Sequence, residues 1–187
     1  GSTSSDGSGG AGGATATDGS TSTTSSPTST DASTGSGADP YAAEREICIN
    51  KINELRATKG LSPYTRWTDA ESCVDEQATS DEMTNSPHGA WVSGTYPCNG
   101  GGQNECLGAG PSGIEGCLQQ MWDEKDQAAC SGCDACADAY DPSCPNCDFY
   151  GSSGQVCGHY VNMSAKYFTA AACGFSSLGG WDAINFK

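Results

Sequence analysis

The stretch Cys157-Gly158-His159-Tyr160-Val161-Asn162-Met163 is the most informative part of this chain, because it carries one of the two histidines in 187 residues. Its apolar and polar side chains alternate, a pattern typical of a β-strand. Successive side chains of a strand point to opposite faces, so His159 and Met163 are predicted to share one face, and Tyr160 and Asn162 the other. The pattern therefore predicts a strand near the end of the chain that presents a histidine.

Three helical patterns precede that stretch. Asp39-Pro40 predicts an N-cap followed by proline in the first helical turn, and Gly60 is expected to end this helix. Thr68-Asp69-Ala70-Glu71 has the form of a capping box, which predicts a second helix that runs towards Met83. Ser112-Gly113-Ile114-Glu115 repeats the capping box and predicts a third helix.

Strand patterns dominate the last part of the chain. Besides His159–Ser164, the runs Tyr167–Phe175 and Trp181–Phe186 are predicted to be strands. The glycine-rich segment between residues 93 and 113 is predicted to be loop or short strand. Helices early in the chain and strands late indicate an α+β fold.

Residues 1–40 differ sharply in composition from the rest of the chain. They contain 20 Ser or Thr and nine Gly, whereas every Cys, His and aromatic residue lies in residues 41–187. A segment so poor in apolar side chains cannot bury enough surface to offset the entropy lost on ordering. We therefore predict a flexible tether at residues 1–40 and one domain at residues 41–187.

The predicted tether has two interpretations. One is a spacer that lifts the domain off a membrane or wall, as in bacterial lipoproteins. The other is an O-glycosylated stalk, or an arm used in assembly. The spacer is the simpler interpretation.

Twelve cysteines occur in the predicted domain. An even number at this density predicts a disulfide framework formed in an oxidising compartment. No apolar run reaches membrane-spanning length, so we expect an extracellular or cell-surface protein without a transmembrane segment. The cysteines are Cys48, Cys73, Cys98, Cys106, Cys117, Cys130, Cys133, Cys136, Cys144, Cys147, Cys157 and Cys173.

Six of these cysteines crowd the segment from Cys130 to Cys157, and their spacing allows a second interpretation. Cys130-Ser131-Gly132-Cys133 and Cys144-Pro145-Asn146-Cys147 have the Cys-x-x-Cys spacing of tetrathiolate zinc or iron–sulfur sites. In an exported protein disulfides are the better interpretation, since thiols there become oxidised. Residues 126–156 are therefore predicted to be an insertion that disulfides hold in shape.

The formal net charge of the chain is −15 at neutral pH. Of this, −11 falls in residues 41–187, which hold 19 acidic and 8 basic side chains. Charge of this sign repels phosphate backbones and anionic lipid surfaces. Nucleic acid is therefore not an expected partner.

Several short motifs follow one another along the predicted domain. They are Asn53-Glu54-Leu55-Arg56, Leu61-Ser62-Pro63-Tyr64-Thr65-Arg66-Trp67, His88, Gly102-Gln103-Asn104, Trp122 with Glu124, and Gly158-His159-Tyr160. In this order they resemble the motifs of the CAP superfamily, the cysteine-rich secretory, antigen 5 and pathogenesis-related 1 proteins. The resemblance covers most of residues 41–187.

The resemblance implies a three-layer α-β-α sandwich of the CAP type, with a groove lined by two histidines and two acids. On this chain the groove residues would be His88, Gln103, Glu105, Glu124 and His159. Gln103 stands where the family has Glu, and Glu105 would face the same side of an extended segment and supply a carboxylate. In several relatives the groove accepts a divalent cation, so His88, His159 and Glu124 are expected to bind zinc.

Members of this family are associated with sterols, lipids and protein partners. The resemblance therefore implies an exported binding domain whose altered groove takes a divalent metal, a small apolar ligand or a protein partner. The alternatives are a metal-dependent hydrolase that uses His88, His159 and an acid, and a structural subunit of an extracellular assembly. No Gly-x-Ser-x-Gly motif occurs and no cysteine is expected to be free, so no catalytic residue is predicted.

Overall fold

The computed structural model of the chain describes residues 38–139, 141 and 143–187. Of the predicted tether, only residues 38–40 fall within these ranges, and the remainder lies outside the described residues. Ala38–Lys187 form one compact unit.

Helices and one sheet make up this unit, which confirms the predicted α+β class. Its α-helices are α1 (Ala42–Ala57), α2 (Glu71–Thr84), α3 (Gly89–Ser93), α4 (Ile114–Asp123) and α5 (Gly158–Ser164). Its strands are β1 (Thr65–Arg66), β2 (Gly102–Leu107), β3 (Ala170–Phe175) and β4 (Trp181–Phe186).

The sheet has the strand order β1-β3-β4-β2, so β2 lies at one edge. β1 pairs with β3 in parallel, and β4 pairs antiparallel with both β3 and β2. In this register Gln103 of β2 lies opposite Asn185, and Glu105 lies opposite Ala183. The edge strand therefore carries the segment that was expected to line the groove.

Alternate residues of β3 belong to two apolar clusters. Cys173 lies in the larger cluster, together with Ile52 of α1 and Leu118 of α4. Ala172 lies in the smaller cluster, together with Val74 of α2. Because neighbouring side chains of a strand point to opposite faces, α2 covers one face of the sheet while α1, α4 and α5 cover the other.

Three helices begin later than their capping patterns predict. α1 begins at Ala42, and the Asp39 carboxylate holds the turn before it, because it accepts hydrogen bonds from the backbone N–H of Tyr41 at 3.0 Å and from Arg45 at 2.8 Å. α2 begins at Glu71 after a 3-10 turn, and α4 begins at Ile114. Among the described residues, no side chain at the N-cap of α2 or α4 accepts a capping hydrogen bond, so the two predicted capping boxes are not formed.

The prediction of a strand at His159–Ser164 is wrong, because α5 occupies this stretch. Side chains that are distant in sequence hold both of its ends. Glu124 accepts a hydrogen bond from the backbone N–H of Tyr160 at 3.0 Å, and Arg56 donates to the backbone carbonyl of Met163 at 2.6 Å. A carboxylate at the first turn and a guanidinium at the last both favour a helix, since they complement its dipole.

The strands predicted before and after α5 are present in the structure. Trp181–Phe186 is a strand as predicted, and the run predicted from Tyr167 becomes a strand at Ala170. The glycine-rich segment contains a short strand, β2, also as predicted.

All twelve cysteines form disulfides, which confirms the predicted framework. Cys48–Cys173 joins α1 to β3 across 125 residues of sequence, and three bridges hold the predicted insertion at residues 126–156. The pairs are Cys48–Cys173, Cys73–Cys98, Cys106–Cys117, Cys130–Cys157, Cys133–Cys147 and Cys136–Cys144. Within the described part of the chain, none of the helices combines the length and the apolar character that crossing a bilayer requires.

Candidate functional site

His88 lies in the turn between α2 and α3, where its backbone adopts the left-handed conformation with φ 59°. Its backbone N–H donates a hydrogen bond to Glu105 Oε2 at 2.6 Å. Its ring Nδ1 lies 2.9 Å from Gln103 Oε1. Two residues of β2 on the same face of the sheet therefore hold the backbone and the ring of His88.

A buried pair of carboxyl groups lies behind this turn. Asp81 of α2 is fully buried and accepts a hydrogen bond from the backbone N–H of Ala90 at 2.6 Å. Burial and a hydrogen bond with the neighbouring Asp81 carboxyl raise the pKa of Glu105 to about 8. Burial therefore disfavours a negative charge on Glu105, which positions the His88 turn through the hydrogen bond from its backbone N–H.

His159 lies in the first turn of α5, beside Glu124 at the end of α4. The ring Nδ1 lies 2.5 Å from Glu124 Oε1, and the other oxygen of this carboxylate accepts from the N–H of Tyr160. The Glu124 side chain is 10% exposed and that of His159 is 27% exposed. The acid is therefore buried behind a histidine ring that reaches solvent.

Amide side chains connect the two histidines through β2. Asn104 donates to the backbone carbonyl of His159 at 3.0 Å. Asn162 of α5 donates to the Asn104 side chain at 2.9 Å and to the backbone carbonyl of Gln103 at 3.2 Å. Because Gln103 and Asn104 are successive strand residues, the His88 contact and the His159 contact lie on opposite faces of β2.

The three predicted metal ligands do not form a compact group. Among the described residues, only Cys130, Cys133 and Cys157 form a compact group of three His, Cys, Asp or Glu ligands. Their ligand atoms all lie within 4.8 Å of one another. His88, His159 and Glu124 are spread more widely, whereas ligands bound about 2.0–2.2 Å from one zinc ion would be closer together. Glu124 instead contacts Nδ1 of a histidine whose other nitrogen is available to a ligand.

Sequence reasoning missed Asp81 and Gln77, which support the site from α2. Gln77 accepts hydrogen bonds from Gln103 at 3.4 Å and from Asn185 at 2.7 Å. Val74, Gln77 and Asp81 all lie on the buried side of α2. The signal was the helical spacing that places Gln77 and Asp81 on the same face of α2 as the apolar Val74, since buried polar groups need partners.

Two surface concavities lie away from both histidines. One of ≈ 550 Å³ is lined by α2, with Asp75 and Met83 among its residues, and by Tyr96. The other, of ≈ 390 Å³, is lined by residues of the disulfide-held insertion such as Cys147 and Asp148.

A scan against protein-family models and a search of curated proteins found no match for this chain. The chemistry of the site therefore follows from its own geometry. Amide and carboxylate oxygens accept hydrogen bonds, so Gln103 and Glu124 select the tautomer that carries its proton on Nδ1 in His88 and His159. This tautomer leaves Nε2 of each ring as an acceptor or metal ligand, and the two rings are 37% and 27% exposed.

Proposed function

We propose that this chain is an exported, non-catalytic binding domain of the CAP type, and that its groove binds a divalent cation. The groove consists of His88 and Gln103 on one side of β2, and His159 and Glu124 on the other. One observation carries the proposal: each partly exposed imidazole has Nδ1 held by a buried oxygen. Metal-binding histidines have this arrangement, because an acceptor on one nitrogen orients the other towards the ion.

The ion is expected to bind weakly. The ligand atoms of His88, His159 and Glu124 do not all lie within 4.8 Å of one another, so one ion cannot contact all three in this arrangement. Gln103 is neutral, and burial disfavours a charge on Glu105, so the His88 side of the groove supplies little charge. Water or a bound partner would complete the coordination of the cation.

Features outside the groove support the family and the location. The motifs resemble those of the CAP superfamily in their order, and helices on both faces of one sheet are what an α-β-α sandwich requires. Six disulfides are typical of small extracellular domains. We therefore propose an extracellular or surface-tethered location, with a small apolar molecule or a protein as the partner that the groove recognises.

Zinc titration calorimetry on the oxidised chain tests the proposal. We expect one weak site, which is lost in both His88→Gln and His159→Gln. The matched control is Glu115→Gln, which removes an exposed acid from α4 and should leave zinc binding unchanged. Absence of binding to the wild-type chain, or binding that survives both histidine replacements, would contradict the proposal.

The contact between His159 and Glu124 also favours a second candidate, a metal-dependent hydrolase. A carboxylate on Nδ1 orients an imidazole that acts as a general base. Hydrolysis of an activated ester, measured with and without zinc, tests this candidate. Turnover that requires zinc and disappears in His159→Gln would favour the hydrolase over the binding domain.

A further inference from the structure

The turn that carries His88 has an unusual backbone. Asn85 and His88 both adopt the left-handed conformation, with φ 49° and 59°, although neither is glycine. A residue with a side chain is unfavourable in this conformation, and it stays there only where surrounding contacts fix it. The contacts that fix this turn therefore decide where the His88 ring lies.

Asp81, near the end of α2, contacts the turn on each side of the histidine. Its backbone carbonyl accepts a hydrogen bond from the N–H of Ser86 at 3.0 Å. Its side-chain Oδ1 accepts from the N–H of Ala90 at 2.6 Å. Ser86 lies two residues before His88 and Ala90 two residues after it. Asp81 therefore holds the main chain at both ends of the segment that carries the ring.

Gly89 allows the Asp81 carboxylate to come this close. A Cβ atom on Gly89 would lie 3.1 Å from Asp81 Oδ1 and 2.8 Å from Ser86 Oγ. The second distance is too short for a real contact, so a side chain at this position would push the turn away from α2. The hydrogen bond from Ala90 to the carboxylate thus depends on the close approach of the two segments.

The other oxygen of the Asp81 carboxyl group points to a link with Glu105. Asp81 Oδ2 and Glu105 Oε1 are both buried, and no N–H or hydroxyl group of the described residues donates a hydrogen bond to either. Buried oxygens are rarely left unpaired. A single proton between the two carboxyl groups satisfies both oxygens, since a protonated carboxyl group is a donor. Burial, and after it this hydrogen bond, raise the pKa of Glu105 to about 8, which agrees with such a pair.

We propose that Asp81 is a positioning residue for His88, and that it acts both directly on the turn and through Glu105. Asp81 Oδ2 and Glu105 Oε1 share one proton, and Glu105 Oε2 accepts from the backbone N–H of His88 at 2.6 Å. Asp81 contacts neither the ring nor a bound ion. It aims the ring by fixing the backbone that carries it. This inference rests on the proposed function, in which the His88 ring forms one side of the cation-binding groove.

Two replacements separate the hydrogen bonds of Asp81 from its bulk. Asp81→Asn keeps an oxygen for the N–H of Ala90 and offers an amide N–H to Glu105, whereas Asp81→Ala offers neither. Val74→Ala is the matched control. Val74 is also fully buried on the same side of α2, about two turns from Asp81, so its truncation destabilises the fold without touching the His88 turn.

Amide hydrogen exchange of the zinc-free, oxidised chain measures how firmly the turn is held. In the wild type the N–H groups of His88 and Ala90 should be protected. We expect Asp81→Ala to speed exchange at both by about fivefold or more relative to the amides of β3, as loss of one hydrogen bond implies. Asp81→Asn should restore the wild-type ratio, and Val74→Ala should leave it unchanged. The ¹⁵N NMR signals of the His88 ring should follow the same order, since the ring loses its fixed contact with Gln103 only in Asp81→Ala.

Zinc calorimetry on the same variants measures the consequence for the groove. Asp81→Ala should bind zinc about tenfold more weakly than the wild type, because the contacts that orient a ligating histidine contribute roughly 10–100-fold to affinity. Asp81→Asn and Val74→Ala should bind as the wild type does. Rescue by the amide, together with the unchanged control, distinguishes positioning of His88 from a general loss of stability.

Three results would overturn the proposal. The first is exchange of the His88 and Ala90 amides in the wild type as fast as in an exposed turn, which requires no variant to fold. The second is an Asp81→Ala chain with wild-type exchange and ring signals at His88. The third is an Asp81→Asn chain that does not restore them. Because exchange and ring signals are measured without zinc, a wild-type chain that binds no zinc contradicts the proposed function alone.

Discussion

Asp182 of β4 is a fully buried carboxyl group, and neither of its oxygens has a hydrogen-bond partner among the described residues. Burial, with a smaller contribution from the negative charge of Glu82, raises its pKa to about 7 from an ordinary value of 3.8. The folded state therefore binds the proton more tightly than the unfolded state does. The stability contributed by this proton is fully present in acid and is lost as the pH rises from about 4 through about 7.

We expect Asp182→Asn to stabilise the protein at pH 8 by roughly 1–4 kcal/mol, since each unit of pKa shift corresponds to about 1.4 kcal/mol. The amide has the shape of the protonated acid and never ionises. Urea unfolding with the disulfides intact gives the free energy of unfolding at pH 5 and at pH 8. The carboxyl group of Glu105 also contributes to the pH dependence of stability. This contribution is the same in Asp182→Asn and in the wild type, so it cancels in the difference between them. An equal difference between variant and wild type at the two pH values would show that ionisation of Asp182 is not the cause.

Gln103 is the residue that most limits the charge of the groove. We expect Gln103→Glu to tighten zinc binding to the oxidised chain about tenfold, because a carboxylate on Nδ1 of His88 makes its Nε2 a better ligand. Glu105→Gln is the matched control and should leave the affinity unchanged, since Glu105 contacts the backbone of His88. Calorimetry decides: if Gln103→Glu has no effect and Glu105→Gln abolishes binding, Glu105 is itself the ligand. In the wild type and in Gln103→Glu, zinc binding should weaken in acid, because protonated imidazoles do not bind metal ions.

At the scale of elements, α5 shows where sequence reasoning reaches its limit. A six-residue alternation cannot distinguish a strand from a buried helix, and α5 is buried along most of its length. The contacts that decide the matter come from Glu124 and Arg56, which are distant in sequence. By contrast, the prediction that Gln103 and Glu105 face one side agrees with their shared contact with His88, because strand geometry alone determines it. Asp81 was missed because its partner lies on another element.

We expect Glu124→Gln to destabilise the fold by about 1–3 kcal/mol. The glutamine side chain has one acceptor oxygen instead of two, so either the His159 ring or the Tyr160 N–H loses its hydrogen-bond acceptor. Glu115→Gln on the exposed side of α4 is the control and should change the free energy of unfolding by less than about 0.5 kcal/mol. Urea unfolding measures both variants. Amide hydrogen exchange in Glu124→Ala gives the local readout, since this change removes both acceptor oxygens and the N–H of Tyr160 should lose protection. Unchanged protection at Tyr160 would show that the carboxylate does not hold the start of α5.

At the scale of the whole molecule, the disulfide framework was predictable in kind and not in connectivity. Cysteine number and density indicate bridges, but six pairs allow very many arrangements, and only the fold brings Cys48 next to Cys173. The surplus of acid was equally plain from composition. The few basic residues of the chain form ion pairs with nearby acids. Arg45, for example, is almost fully buried and pairs with Asp39 and Asp75. Eight basic side chains cannot neutralise the 19 acids of residues 41–187, so the domain keeps a large surplus of negative charge.

This surplus predicts how salt acts on the folded state. At about 0.01 M ionic strength the screening length is roughly 30 Å, so acids across the whole domain repel one another, and at about 0.15 M it falls to roughly 8 Å. The partly buried pairs of Arg45 are screened far less than the exposed acids are. Added sodium chloride should therefore raise the free energy of unfolding of the oxidised chain, by about 1 kcal/mol or less, between these two concentrations. Thermal unfolding at neutral pH measures the effect, with sucrose of equal osmolality as the control. A midpoint that falls with salt would mean that attraction within ion pairs, and not repulsion among the acids, dominates the electrostatics of this fold.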